Sequence, residues 1–516
     1  MTNMVYKIGM ICQRCGGGDF VKGGRTMGRE RQRYKCKGCG RRTTNVQKQE
    51  APESVEFQSR LPKSGRYVIT AAQNATPIHK GFLASLRHYC ARHKATLIVI
   101  PYRYRNPTSQ WTSNNESHEW WAKEIAADLY DGRFELNSKI TVLADIKVQP
   151  TASQPLMGLE SITHGSSGIL GHPKVQMRTI ATPHNRLPKI MMSTGAVTMP
   201  NYTDTKAGKK GEFHHTFGAA VIEVQGKKFH LRQINALKNG SFIDLDTAAD
   251  PHGCRKAPRA LALVMGDTHV DFVDPDVVEA TFNGPNSIVS VLRPQQLVWH
   301  DLLDFYSRNH HHRFDPITNT AIFKAGKGSV RDEVSRAVDF VARYTPKGCK
   351  SVIIASNHNE ALSRWIRETD WKTDPENAEF YLATALAMVE SAKLGDAGAE
   401  CIDPLRYWAD GKIAAKFLSR GESYSIRGVE FAMHGDRGPN GSRGSIKAFS
   451  RIGVRSTIGH THSPGIEEGC HQTGTSTRLG LTYAKDGPSS WLNSHSVLYA
   501  NGKRSHIHII DGRWKL

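Results

Sequence analysis

The sequence predicts an α/β protein in three parts: a small cysteine ribbon over 1–45, a middle α/β domain over 65–250 and a C-terminal α/β domain over 251–516, with a linker at 46–64. Three observations carry that expectation. Two Cys-x-x-Cys pairs stand near the start, apolar runs alternate with amphipathic ones from Arg66 onward, and five apolar runs after Leu261 each end in Asp, Asn or His. A chain of 516 residues suits about three domains. Its 39% hydrophobic and 23% charged residues are globular values that exclude a largely disordered chain. No apolar run reaches the roughly 18 residues that span a bilayer, and the start MTNMVYKIGM has no signal-peptide core. A cytoplasmic protein with no membrane partner is the expectation.

The ribbon comes first. Cys12, Cys15, Cys36 and Cys39 form two knuckles that can give four thiolates to one tetrahedral Zn²⁺. Glycines 16–18, 38 and 40 supply the backbone freedom that such knuckles need. The other five cysteines are scattered singly, a poor disulfide framework. Residues 1–50 hold 12 Lys/Arg against 3 Asp/Glu, and the whole chain has a formal charge of +21. That surplus favours a polyanionic partner. The segment resembles the zinc ribbons at the front of many transposases and phage replication proteins, which implies one structural Zn and a surface facing nucleic acid.

Residues 46–64 are polar, lack periodicity and contain two prolines, hence the linker. RYVITAA then reads as a strand, HKGFLASLRHYCARH as a helix and ATLIVIPY as a second strand; a helix around EWWAKEIAADLY and a strand KITVLAD follow. Such alternation predicts βαβ units and a mostly parallel sheet. Residues 150–215 are rich in Gly, Pro, Ser and Thr and read as long ordered loops, with His214 and His215 at the surface. Turn residues at 245–259 mark a second boundary.

The chemistry lies beyond it. LALVMG leads into Asp267-Thr268-His269, QQLVWH into Asp301-Leu302-Leu303-Asp304, and KSVIIAS into Asn357-His358-Asn359-Glu360. VEFAM leads into His434-Gly435-Asp436, and RSTIG into His460-Thr461-His462. Strands of an α/β sheet bring their carboxyl ends to one edge, where ligand sites form. Seven carboxylate, amide and imidazole donors exceed what one ion needs and suit two ions with a shared carboxylate. His310, His311 and His312 form a basic or substrate-facing loop, and Asp271 and Asp436 are either partners that orient imidazoles or surface carboxylates.

The ordered blocks GDTH, HDLLD, SNHNE, HGD and GHTH resemble the signature blocks of the calcineurin-like metallophosphoesterases over about half the chain, from roughly residue 260 onward. The resemblance implies a β-sandwich flanked by helices and a dinuclear centre. One ion would be held by Asp267, His269, Asp301 and His462; the other by Asp301, Asn357, His434 and His460, with Asp301 bridging. His358 would be the catalytic residue, giving a proton to the leaving group or stabilising the transition state. Family members that cleave DNA commonly use manganese, so the resemblance implies Mn²⁺. Two departures stand out: His300 precedes Asp301 where the family has Gly, and Asn359 follows the Asn-His pair where it has Asp or Glu.

Joined to a basic ribbon, this half-chain is expected to be a metal-dependent DNA nuclease. It resembles the metallophosphoesterase nucleases of break repair and the early DNases with which some large tailed phages destroy host DNA, which would place it in the host cytoplasm. A phosphatase or phosphodiesterase acting on small esters shares the same blocks; the ribbon suggests a transposase-like enzyme, though that chemistry needs three carboxylates and the His-rich blocks argue against it; a non-catalytic zinc-ribbon DNA-binding protein is the third alternative. A homo-oligomer is compatible with everything above.

Overall fold

A computed structural model describes residues 12, 20–26, 29–43, 56–104, 120–183, 186–395, 401–481 and 487–516. Helices and several sheets are mixed along the chain, so the fold is α/β. No described helix is long and apolar enough to cross a membrane.

The site is carried by a six-stranded sheet. Its order is Ala415–Leu418, Lys350–Ile354, Gln296–Trp299, Ala262–Val264, Ser494–Leu498 and Arg504–His508. The first four strands are parallel to one another; Ser494–Leu498 runs antiparallel to them, and Arg504–His508 antiparallel to Ser494–Leu498. Side chains alternate between its faces with a period of two. Leu263, Leu297, Trp299 and Ile353 pack under helices Val330–Tyr344 and Asn357–Glu368, while Ala262, Val264, Val298, Val352 and Ile354 meet Val429 and Phe431 on the opposite side. Each buried Val, Leu or Ile contributes roughly 1.5–3 kcal/mol. The result is two facing sheets with helices outside one of them, as the sequence suggests for this half.

The second layer is a ten-stranded sheet that draws strands from both the middle and the C-terminal regions. From one edge it runs Ser425–Ile426, Val429–Glu430, Arg455–Ile458, Cys470–Gln472, Gly465–Glu467, then Gln176–Ile180, Lys189–Ser193, Ser167–Leu170, Ile140–Leu143 and Arg133–Asn137. Gly465–Glu467 pairs antiparallel with Gln176–Ile180, so the middle and C-terminal regions share one hydrogen-bonded sheet. The expected 250/251 limit falls in the turn between Thr247–Asp250 and Gly253–Lys256, inside an antiparallel three-stranded sheet. Its side chains serve two cores at once, Leu245 and Ala248 on one side and Phe242 and Ala249 on the other.

Several local expectations change as well. Arg66–Gln73 and Thr96–Tyr102 are parallel strands joined by helix Lys80–His93, but Gly218–Gln225 and Lys228–Asn235 complete that sheet antiparallel. The helix expected at 119–130 is a 3₁₀ turn, Lys123–Asp128, without a side-chain cap; Leu129 and Tyr130 leave it to form bridges with Val99 and Gln58. Residues 150–215 are more than loops, since they contain three strands and helix Lys206–His214. Residues 56–64 of the expected linker lie against the fold: Phe57 meets Trp121 edge-on at 5.1 Å, and Tyr67 Oη donates to the Pro62 carbonyl at 3.1 Å. Residues 46–55 fall outside the described part. His214 and His215 are not plain surface groups; the His215 ring is held by Tyr202 Oη at 2.8 Å and the Thr198 carbonyl at 2.9 Å.

Candidate metal centre

Five chain segments leave strands of the two facing sheets and turn sharply, three from the six-stranded sheet and two from the ten-stranded one. Asp267 and His269 follow Ala262–Val264, and Asp301 and Asp304 follow Gln296–Trp299. Ser356 caps helix Asn357–Glu368 by accepting from Asn359 N, which sets Asn357 and His358 in its first turn. His434 follows Val429–Glu430, and His460 and His462 follow Arg455–Ile458. The backbone ladder continues beyond the strands, with His269 N donating to the Asp301 carbonyl at 2.6 Å and Thr268 N to that of His300 at 3.0 Å. His269, Asp301, His460 and His462 all have positive φ, at 42°, 42°, 80° and 59°. Left-handed backbone at non-glycine residues costs of order 1–3 kcal/mol each and gathers where function requires it.

Asp267, His269, Asp301 and His462, all buried, bring one ligand atom each to within 4.8 Å of one another. His269 Nε2 and His462 Nε2 face each other at 3.1 Å, His462 Nε2 is 3.3 Å from Asp267 Oδ2, and His269 Nε2 is 3.7 Å from Asp301 Oδ2. Ligands at about 2.0–2.2 Å from one ion are separated by roughly 3 Å, so this spacing is that of a coordination shell. Asp267 Oδ1 and Asp301 Oδ1 are buried with no hydrogen-bond partner. Orphaned oxygens beside facing imidazole nitrogens fit a cation.

The second set is less closed. His434 Nε2 lies 3.1 Å from Asp301 Oδ2, so this carboxylate touches imidazoles of both sets, as a bridge must. Asn357 Oδ1 is buried and unpartnered, and the His460 ring stands edge-on to that of His434 at 5.3 Å. His460 also donates its backbone N–H to Asp267 Oδ2 at 2.7 Å. His434 forms a different group of three with Asp267 and His300. His300 is fully buried, with its Nδ1 3.2 Å from His434 Nδ1.

Asp304 is the residue that sequence reasoning underused. Its Oδ1 sits 3.1 Å from His269 Nδ1, and its carbonyl accepts from His358 Nδ1 at 2.9 Å. The Asp-x-x-Asp spacing was the available signal. It orients His358, while Glu360 is tied to Arg420 and Arg437. Asp436 pairs with Arg420, and Asp271 pairs with Arg336 through two bonds of 2.7 Å; neither orients an imidazole ligand by a hydrogen bond. His358 stands edge-on to His269 at 4.6 Å and is partly open to solvent.

The electrostatics match a cation site. Burial opposes ionisation of Asp301, yet His434 and His358 hold its carboxyl well below the ordinary range. Burial likewise opposes charge on His269, but Asp304 and Asp301 raise it to about 9. His300 goes the other way, down to about 4, because burial dominates there.

In the ribbon, strands Phe20–Thr26, Arg29–Cys36 and Arg42–Thr43 form an antiparallel sheet. Gly40 N donates to the Cys36 carbonyl at 2.9 Å and Gly40 takes φ of 73°, closing the knuckle. Cys12, Cys36 and Cys39 gather as a metal-capable group, with Cys12 and Cys39 sulfurs 3.4 Å apart. That is too long for a disulfide of about 2.05 Å and close to the separation of thiolates each about 2.3 Å from one Zn²⁺. Cys15 lies outside the described residues.

No protein-family model matches the chain. Protein A1 of Escherichia phage T5 is 32% identical over 489 residues, an alignment covering 91% of this chain and 87% of that protein. With that identity over nearly the whole length of both, the chain belongs to the family of protein A1 of Escherichia phage T5.

Proposed function

We propose that the chain is a metal-dependent DNA nuclease of the metallophosphoesterase kind, acting in the cytoplasm of a phage host. The observation that carries the reading is the convergence of Asp267, His269, Asp301 and His462, with His434 on the same Asp301 oxygen. Kinship with a phage protein and a formal charge of +21 support a nucleic-acid substrate. A pair of divalent cations, with Mn²⁺ first among the candidates, would supply Lewis acidity and a water that ionises near neutral pH.

The protein's own part follows from its geometry. Asp301 offers one oxygen toward the His269 and His434 nitrogens and keeps the other free. Asp304 holds the His358 Nδ1–H at its carbonyl, so Nε2 carries a transferable proton only when the ring is cationic. In that state His358 Nε2 gives its proton to the departing sugar oxygen. The basic ribbon, whose four cysteines would hold a structural Zn, tracks phosphates rather than bases.

Incubation of the full-length protein with circular and linear DNA in Mn²⁺, Mg²⁺ or chelator tests the reading. Cleavage in metal that is lost in Asp301→Ala and His434→Ala, with DNA binding retained, is the expected result. Turnover of a nitrophenyl phosphodiester with no cleavage of DNA would instead make it a small-ester phosphodiesterase. Wild-type cleavage in either variant would refute the assigned site.

A further inference from the structure

His300 is a buried imidazole at the metal centre to which none of the proposed chemistry gives a task. Side chains alternate along strand Gln296–Trp299: Leu297 and Trp299 pack under the helices, and Val298 faces Val429 and Phe431 of the other sheet. His300, next in that alternation, falls on the Val298 side and meets His434 there. Its carbonyl accepts from Thr268 N at 3.0 Å, which fixes the backbone that carries the ring. Gly459 gives the ring its room, since a Cβ at that position would stand 3.1 Å from His300 Cγ.

The contact between the two rings dictates where their protons sit. His300 and His434 are 0% and 1% exposed, and their Nδ1 atoms are 3.2 Å apart. Nitrogens at that distance share one proton, because two N–H groups would clash and two lone pairs would repel. On its other edge, His434 Nε2 stands 3.1 Å from Asp301 Oδ2 without a hydrogen bond. An imidazole that gives Nε2 to a cation keeps its proton on Nδ1. The shared proton therefore belongs to His434, and His300 Nδ1 is the acceptor. A neutral His300 then carries its own hydrogen on Nε2, the nitrogen that is buried without a partner.

His300 also falls in a metal-capable group with Asp267 and His434. The two rings, however, meet on the Nδ1 edge of His434, whereas the Asp301 carboxylate faces the Nε2 edge. Asp301 thus makes Nε2 the ligand nitrogen and leaves His300 behind the ligand as its support.

We propose that His300 is a positioning residue for the second ion: it accepts the Nδ1–H of His434, fixes the tautomer of that ring and turns its Nε2 toward Asp301. Partners of ligand imidazoles are usually carboxylates, backbone carbonyls or water; a neutral ring nitrogen holds the tautomer without adding charge. The proposal rests on the paired-ion part of the nuclease reading and not on the substrate. Its test therefore reads metal rather than turnover. Mn²⁺ is titrated calorimetrically into full-length wild type, His300→Leu and His300→Asn, and electron paramagnetic resonance spectra are recorded at two ions per chain. Leu fills the space and removes the acceptor. Asn places an amide oxygen as many bonds from Cα as Nδ1 is.

Wild type is expected to show two binding events and the spectrum of a coupled Mn²⁺ pair. His300→Leu is expected to keep one ion, to bind the other about 10–100-fold more weakly and to give the spectrum of isolated Mn²⁺. His300→Asn is expected to restore the coupled pair. His300→Gln, which keeps polar atoms but sets them one bond further out, is expected to behave as Leu does and serves if the Leu variant does not fold. Equal affinity for both ions in wild type, Leu and Gln would overturn the proposal. Equal losses in Asn and Leu would reduce the ring to a packing element, and a third ion that Leu removes would make it a ligand; either result overturns the proposal too. A coupled pair that depends on His300, in a protein that leaves DNA intact, would keep the positioning role and sink the nuclease.

Discussion

Gly459, between strand Arg455–Ile458 and His460, separates ligand geometry from ligand chemistry, because replacing it removes no donor. A Cβ there would stand 2.2 Å from Asp267 Oδ1, 3.3 Å from its Cγ and 3.1 Å from His300 Cγ. An ordinary contact to that oxygen needs over 3 Å, so Asp267 must retreat by about 1 Å, twice the roughly 0.5 Å within which a working site is held. Asp267 is fully buried and already tied to His460 N at 2.7 Å and His462 Nε2 at 3.3 Å, so the shift disturbs three donors together. Gly459→Ala is therefore expected to weaken Mn²⁺ binding by at least the 10–100-fold typical of disturbed support around a ligand, with an overpacking cost of about 1–3 kcal/mol in metal-free stability. Isothermal titration of the full-length protein with Mn²⁺ reads the first, and thermal melting in chelator the second. Gly421→Ala, where an added Cβ meets nothing within 4 Å, serves as the control. Metal affinity in Gly459→Ala equal to that of Gly421→Ala would refute the placement of Asp267 in the shell.

Three further outcomes follow from separate features. His358→Ala is expected to keep its metal and lose turnover by about 10²–10⁴-fold, the range for a proton donor; loss of metal by elemental analysis would make it a ligand instead. Replacing Cys36 and Cys39 by Ser is expected to remove zinc and weaken binding to all DNA sequences alike, since ribbon contacts are with phosphates; a loss confined to one sequence would mean base reading. Acid should unfold the protein early. Burial drives His172, His215, His230 and His506 each down to about 4, so they stay neutral in the fold and charge near 6.5 when it opens. Their stabilisation is complete above pH 6.5 and is lost as pH falls toward 4, at about 3 kcal/mol for each fully buried imidazole. Since total stability is commonly only 5–15 kcal/mol, the circular-dichroism midpoint is expected above pH 4, and a folded chain at pH 4 would contradict the neutral state of that group.

The Asp/His cluster was legible because Asp267-Thr268-His269 and Asp301 end short apolar strands of a parallel sheet, which brings strand ends to one edge, while His460-Thr461-His462 ends a strand of the facing sheet. What the local pattern did not carry was partnership across space. Nothing near Gln176–Ile180 says that it pairs with Gly465–Glu467, nearly 290 residues on, so the shared sheet was not readable from the sequence. Strands such as Ser167–Leu170 are four residues long amid Gly, Pro and Ser, too short to show a period. The role of Asp304 was hidden for a similar reason: its carbonyl, a group every residue has, holds His358.

The central claim is that buried Asp and His side chains gather two neighbouring cations around Asp301. Anomalous diffraction from crystals of the full-length protein soaked in Mn²⁺ tests it most directly. Two peaks about 3.5–4 Å apart on either side of the Asp301 carboxylate, reduced to one or none in Asp301→Ala, are the predicted result. A single peak away from Asp301, or none beside His269 and His434, would contradict it.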